Sequence, residues 1–455
     1  MAYHFLSSDR DQPYLMPPSV KDWLPEGDLA WFLLDAVREM DLGAFYARYR
    51  ADGNGRPAYE PGMMVGLLLY AYCMGERSSR RIERLCERDV AFRVLAANRV
   101  PDHATIARFR QGHEKALEGL FAEVLRLCAA AGLVKAGVVA LDGTKMKGNA
   151  SLSANRTYES LKEETRRMLS EAAAKDAEED ALYGRDRRGD ELPEELRDPK
   201  SRLARLKECK ERLEREAGEK AAAQEEKIRR RKETEAATGK KTRGRKPVEP
   251  DPGPPETAKA NVTDPESRIL KTRTGYVQGY NAQAVVTAQQ VIVAAEVTQE
   301  ANDVRQLQPM LERAREELAA AGVEDPIGTG LADAGYWSEE NAAWAEAEDL
   351  DLLVATTKDW KQRKAFRERP PPRGRIPKGA DRRDRMERKL LTKRGRSLYP
   401  LRSQTVEPVF GQVKACRGCD RFQRRGTQAV RSEWKLLCAT HNLLKLWRSG
   451  RAKLN

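Results

Sequence analysis

The chain should fold as an α/β protein: a mixed sheet flanked by helices, with an all-helical N-terminal domain and a long helical and disordered insertion after the first strand. Three features of the sequence predict this. Apolar residues at helical spacing fill residues 1–132. Short apolar β-type runs alternating with helical stripes occupy 133–154 and 263–357. Between those two stretches, residues 155–262 shift to Ala, Glu, Lys and Arg with scattered Leu, then to a Pro- and Gly-rich linker.

At 455 residues the chain has room for two or three domains, each able to bury a core. Charged residues make up 34% and aromatics only 6%, so much of the chain must be solvated helix or linker. The net charge of +13 favours a polyanionic partner. Its distribution says more: Lys358 to Arg396 holds 17 Lys and Arg against five Asp and Glu, which is nearly all of the excess. The longest apolar run, Met63 to Met74, is too short to span a bilayer, so no membrane association is expected. Seven scattered cysteines and an N-terminus without a signal-peptide pattern point to a reducing cytoplasm.

In order, a Pro- and Asp-rich loop precedes a helical stripe of Leu29, Phe32, Leu33, Ala36 and Val37. A second stripe follows Pro61, with Met64, Leu67, Leu68 and Ala71 inward. Ser79 to Asp89 reads as a short helix with Arg on its outer face. After it, Asp102 introduces a helix that shows Arg108 and Arg110 to solvent. Short helix, turn and Arg-bearing helix are what a helix-turn-helix needs to enter a major groove, although plain helical packing explains the pattern too. A helix from Lys115 to Ala131 closes the segment.

Val138-Val-Ala-Leu141-Asp142-Gly143 is then a buried strand ending at an Asp, which would hold that carboxylate in a cleft; an Asp-Gly turn is the plain alternative. Lys145 and Lys147 follow in alternation. In the insertion, Leu203, Leu206 and Leu213 keep heptad spacing over too short a span to require a coiled coil. Arg243-Gly244-Arg245 resembles a minor-groove clamp, inexactly because Lys246 stands before Pro247, and a solvated basic linker is the favoured reading. Strand character returns at Gly275–Thr287 and Gln290–Val297, a hairpin. A helix over Val304–Ala320 carries Pro309 as a kink or a late start, and a strand ends at Asp333. Ser338 caps the next helix, and Leu350–Ala355 is a further strand.

The basic segment 358–398 leads into 399–455, where a helix beginning near Ser403 to Thr405 would carry Glu407 and Lys414 on one face. Pro408 would then fall in its first turn. Two Asp at strand ends and a Glu on a later helix can converge on one side of a mixed sheet. Their mutual repulsion would raise their pKa values unless cations sat between them. Magnesium or manganese ions suit all-oxygen ligands, and a pair of them roughly 3.5–4 Å apart can act on both sides of a phosphodiester.

These residues resemble a known family, the DDE transposases of bacterial insertion sequences, most closely the group numbered 1182, in the ribonuclease H-like superfamily. The likeness rests on Ala140-Leu-Asp142-Gly-Thr-Lys145, Asn261-Val-Thr-Asp-Pro-Glu-Ser-Arg268, Gly279-Tyr-Asn-Ala-Gln283, Ala332-Asp333-Ala-Gly-Tyr-Trp-Ser338, Val406-Glu407-Pro-Val-Phe-Gly411 and His441-Asn-Leu-Leu-Lys445. It implies a ribonuclease H-like sheet with Asp142, Asp333 and Glu407 as catalytic, metal-binding carboxylates for two Mg²⁺ or Mn²⁺ ions. Tyr399, Arg402, Glu407 and Lys414 resemble the Tyr-Arg-Glu-Lys signature of related transposases, although four residues separate Arg402 from Glu407 where that signature has three. Phosphate or DNA contacts are expected from Lys145, Lys147, Tyr399, Arg402, Lys414, Arg108, Arg110 and Trp337; Gly335, Tyr336 and Trp337 could contact a distorted base near the cut, with core packing the equal alternative.

The resemblance further implies cleavage at terminal inverted repeats, joining of the 3′ ends to target DNA, a homodimer on double-stranded DNA and a nucleoid-associated bacterial location. A transposase-derived regulator without catalysis and a stand-alone nuclease are the alternatives. Cys416, Cys419, Cys438 and His441 have spacing a zinc ion could use, but Cys438 and His441 lie on an apolar helix stripe, so no zinc is expected.

Overall fold

The computed structural model describes residues 19, 22–49, 57–183, 202–239, 241, 247–377 and 379–452. The expectations for the first loop and for Arg243-Gly244-Arg245 lie outside the described residues. Helices come first: α1 (Leu29–Arg38), α2 (Gly43–Tyr46), α3 (Pro61–Cys73), α4 (Ser79–Arg88), α5 (Val90–Leu95), α6 (His103–Gly112) and α7 (Glu114–Ala130). Asp28 caps α1 by accepting from the Ala30 amide at 2.8 Å, and the buried stripe is Leu29, Ala30, Leu33, Ala36 and Val37. In α3 the expected stripe is buried, but so is every residue from Met64 to Cys73. A helix apolar all round belongs inside the bundle, not on its surface.

Asp102 caps α6 through the Thr105 amide at 2.8 Å, as its spacing predicts. Two details of the helix-turn-helix reading need correction. A further helix, α5, stands between α4 and α6. Arg108 is exposed, but Arg110 turns inward and donates to the Arg77 carbonyl, in the loop just before α4, at 2.7 Å.

The sheet combines β1 (Val138–Lys147) with later strands, after an excursion through β2 (Asn155–Thr157), α8 (Tyr158–Tyr183), α9 (Arg202–Thr238) and β3 (Lys259–Asn261). β2 and β3 pair antiparallel and close the base of the excursion, where Leu161, Leu206, Cys209, Leu213 and Ala260 form a small core of their own. Next come β4 (Arg268–Thr272), β5 (Gly275–Thr287), β6 (Ile292–Thr298), α10 (Leu307–Ala320), β7 (Thr329–Ala332), α11 (Glu339–Ala347) and β8 (Asp351–Val354). Pro309 falls in the first turn of α10, the late start, where its missing N–H is not needed.

The strand order is β4-β5-β1-β7-β8, with β6 also on β5. β1 runs antiparallel to β5 and parallel to β7, and β7 runs parallel to β8. The sheet is therefore mixed and ribonuclease H-like, with helices on its faces. β1 does not end at Asp142: it continues to Lys147 because β5 goes on pairing with it after β7 has stopped.

After β8 come α12 (Trp360–Glu368), α13 (Arg382–Leu391), α14 (Lys393–Leu398), α15 (Leu401–Gly411), a π-helical turn over Gln412–Cys416 and α16 (Thr427–Ser449). α16 is the central packing element, lying against β6 and also against α7 and α3. Its Trp434 is fully buried and donates to the Gln283 carbonyl at 3.0 Å, while the Asn442 amide exchanges two hydrogen bonds with the Ile292 backbone at 2.9 and 2.8 Å. The N-terminal helices and the sheet share one continuous apolar core around it. Cys438 and His441 belong to that core, with His441 Nε2 3.0 Å from the Gln290 carbonyl.

Candidate active site

The last parallel pair between β1 and β7 is Leu141 with Ala332. Asp142 and Asp333 are the next residues on those two neighbouring strands, so register alone places their carboxylates side by side at the same end of the sheet. Each is held by a backbone amide: Gly143 N–H donates to Asp142 Oδ1 at 2.8 Å, and Gly335 N–H donates to Asp333 Oδ1 at 2.7 Å. A Cβ at 143 would stand 2.3 Å from Gln283 Nε2 and 2.8 Å from Asp303 Oδ1, so any larger residue would have to displace those side-chain ends.

Glu407 comes from α15, which begins at Leu401, earlier than the sequence suggests, and therefore holds Pro408 inside it. No side chain caps it, so the expected Ser403 or Thr405 cap is not made. Pro408 cannot donate to the Gln404 carbonyl; Gln290 Nε2 reaches that oxygen at 3.3 Å instead. The helix then loosens into the π turn that carries Lys414, so Lys414 does not simply continue the α-helical face of Glu407.

Arg402 joins the pieces. Its Nη1 donates to Asp142 Oδ2 at 3.0 Å and its Nη2 to Glu407 Oε1 at 3.3 Å. Sequence reasoning made Arg402 a phosphate contact; here its guanidinium stands between two of the three carboxylates. Tyr399 O–H reaches the carbonyl of Ala332, one residue before Asp333, at 3.3 Å. Lys414 Nζ donates to Thr144 Oγ1 and to the Lys145 carbonyl, both at 2.9 Å, which pins the π turn to β1.

Other predicted contacts fall differently. Lys145 points to Asp303 at 3.3 Å, and Lys147 pairs with Asp420 at 2.8 Å. Trp337 is half-buried against the core, and Tyr336 is fully buried, so Tyr336 has no face free for a base. Asn261 and Asp264 of the quoted motifs brace the structure: Asn261 Oδ1 accepts the Thr263 and Asp264 amides, and Asp264 accepts the Tyr280 phenol at 2.9 Å. Asp303 was not found from spacing, and only its side-chain contacts reveal it.

Burial, then the neighbouring Asp333, pushes the Asp142 carboxyl up to about 7, against the pull of Arg402. Burial also draws the Lys414 ammonium below its usual range. Among the described residues no three His, Cys, Asp or Glu side chains lie close enough to chelate one ion. The donor set nevertheless fits a hard divalent cation. It is all oxygen, and two of its members, Asp142 and Asp333, are half-buried neighbours.

Fold and centre together define a ribonuclease H-like protein with acidic residues gathered at one end of its sheet. Residues 18–112 match the family described as Transposase domain (DUF772), and residues 252–443 match that described as Transposase DDE domain. The chain belongs to the DDE transposases of insertion-sequence type. Asp333 and Glu407 lie inside the second match, whereas Asp142 lies between the two. No curated protein and no solved structure matches the chain. Among the described residues no helix is long and apolar enough to cross a membrane.

Proposed function

We propose that this DNA transposase cuts the ends of an insertion sequence, within the group numbered 1182, and joins the freed 3′ ends to target DNA. The observation that carries the reading is the meeting of Asp142, Arg402 and Glu407, from a central strand and a helix about 260 residues later in the chain. Asp142, Asp333 and Glu407 would hold two Mg²⁺ or Mn²⁺ ions. Such ions would supply Lewis-acid polarisation of the scissile phosphate and activation of the attacking hydroxyl.

The chain's own groups then position the DNA. Lys414 has three N–H donors, of which two are spent on Thr144 and Lys145, leaving one for a phosphate oxygen. Arg402 has five donors in a planar fork and spends two on carboxylates. In the first step water attacks phosphorus and the bond to the 3′ oxygen breaks, freeing a 3′ hydroxyl. In the second, that hydroxyl attacks a target phosphodiester, and a target 3′ oxygen leaves. Two ends must be processed together, which calls for a homodimer on DNA.

Labelled terminal-repeat DNA incubated with Mg²⁺ and the full chain, beside Asp333→Ala, tests the reading. Cutting with joining by the wild type and neither by the variant is the expected result. Binding without cutting would leave a regulator, and cutting without joining a nuclease.

A further inference from the structure

Asp303 lies just before the 3₁₀ turn Val304–Gln306 that leads into α10, outside every element that spacing marked as chemical. Its side chain is 24% exposed and turned toward the acidic centre. A single oxygen, Oδ1, accepts from Asn281 Nδ2 at 2.6 Å and Gln283 Nε2 at 2.8 Å, with Lys145 Nζ at 3.3 Å. Lys145 is on β1, three residues past Asp142, whereas Asn281 and Gln283 are on β5. Gln283 Oε1 in turn accepts the phenol of the buried Tyr336, whose own amide closes a turn onto the Asp333 carbonyl at 3.1 Å. Asn341 Nδ2 ties the same two segments again, donating to the Val304 and Tyr336 carbonyls at 2.7 Å each.

The free oxygen of Asp303 has a defined direction. A Cβ built on Gly335 would stand 2.8 Å from Asp333 Oδ1 and 3.6 Å from Asp303 Oδ2. The two carboxylates therefore border one narrow gap, which a side chain at 335 would fill.

We infer that Asp303 is a positioning residue of the acidic centre: through Gln283 and Tyr336 it fixes the turn bearing Asp333, and through Lys145 the strand bearing Asp142. The inference rests on the metal-binding role proposed above for Asp142 and Asp333. Asp303 sets the separation of those two groups by offering one oxygen to donors from two strands. Its negative charge is secondary, since an amide oxygen at the same place accepts from Asn281 and Gln283 as well.

Direct binding of Mn²⁺ to the full chain without DNA, followed by the loss of the free-ion paramagnetic signal, tests this apart from activity. Asp303→Ala should weaken Mn²⁺ binding by about 10-fold to 100-fold, the range found when groups orienting metal ligands are removed. Asp303→Asn should stay within about three-fold of wild type, a small part of that range. Terminal-repeat binding and the metal-free melting temperature of Asp303→Asn should be unchanged. Wild-type Mn²⁺ affinity in Asp303→Ala overturns the inference, as does equal damage by Ala and Asn. Asp333→Asn separates the two claims: if it binds Mn²⁺ like wild type, the underlying metal reading falls; if it loses Mn²⁺ while Asp303→Ala does not, only the inference falls.

Discussion

Arg402 and Asp142 answer each other's electrostatics. Asp142 is half-buried beside Asp333, and its carboxyl is raised from 3.8 to about 7. A group that holds its proton more tightly folded than unfolded contributes stability that is fully present below the unfolded value and lost as pH rises through the folded one. Without divalent ions the protein should therefore lose stability between pH 4 and pH 8, by up to about 4 kcal/mol at 1.36 kcal/mol per unit. Asp142→Asn should remove that slope. Thermal unfolding in chelator across this pH range measures it, and parallel curves for the two proteins would refute the assignment. Arg402→Ala leaves Asp142 and Glu407 without their shared partner and should cost about 1–3 kcal/mol at pH 8. Added Mg²⁺ should restore part of that loss, which a melting-temperature titration would read.

Among the elements, α16 links the sheet to the N-terminal helices. It packs on β6, α7 and α3, and Trp434 reaches from it to the Gln283 carbonyl. The side chain of Gln283 belongs to the network around Asp303, so α16 supports the acidic centre from behind. Trp434→Ala should cost about 3–5 kcal/mol, as expected for deleting a fully buried aromatic. Because the apolar core is continuous from the N-terminal helices to the sheet, that loss should appear as one shifted denaturation transition, not as separate melting of either part. Two resolved transitions, with the helical one unmoved, would contradict a shared core.

Across the whole molecule the charge is unevenly spent. The basic segment supplies much of the excess, yet Lys389 and Arg394 pair with Asp351, and Arg382 pairs with Glu346. Arg385 and Arg108 stay exposed. If both meet DNA phosphates, Arg108→Ala and Arg385→Ala should each weaken binding to all sequences alike. Each should also reduce the slope of log affinity against log salt by about 1. Fluorescence anisotropy over a salt series checks this; an unchanged slope would place that arginine off the DNA path.

Much of this was legible in the sequence for a physical reason: periodicity and local chemistry act over a few residues. The hairpin over β5 and β6 and the caps made by Asp102 and Ser338 follow from short patterns. Local pattern could not say how far β1 runs, because β5 extends it beyond the point where β7 stops pairing. Nor could it start α15 four residues before Thr405, with Pro408 inside it and Gln290, more than 100 residues away, reaching the carbonyl that the proline frees. Residue types and their order along the chain were set by sequence alone. That Arg402 lies between carboxylates, that Arg110 and Tyr336 turn inward and that Asp303 joins the centre depended on neighbours 20 to 260 residues away, which only the packed chain brings into contact.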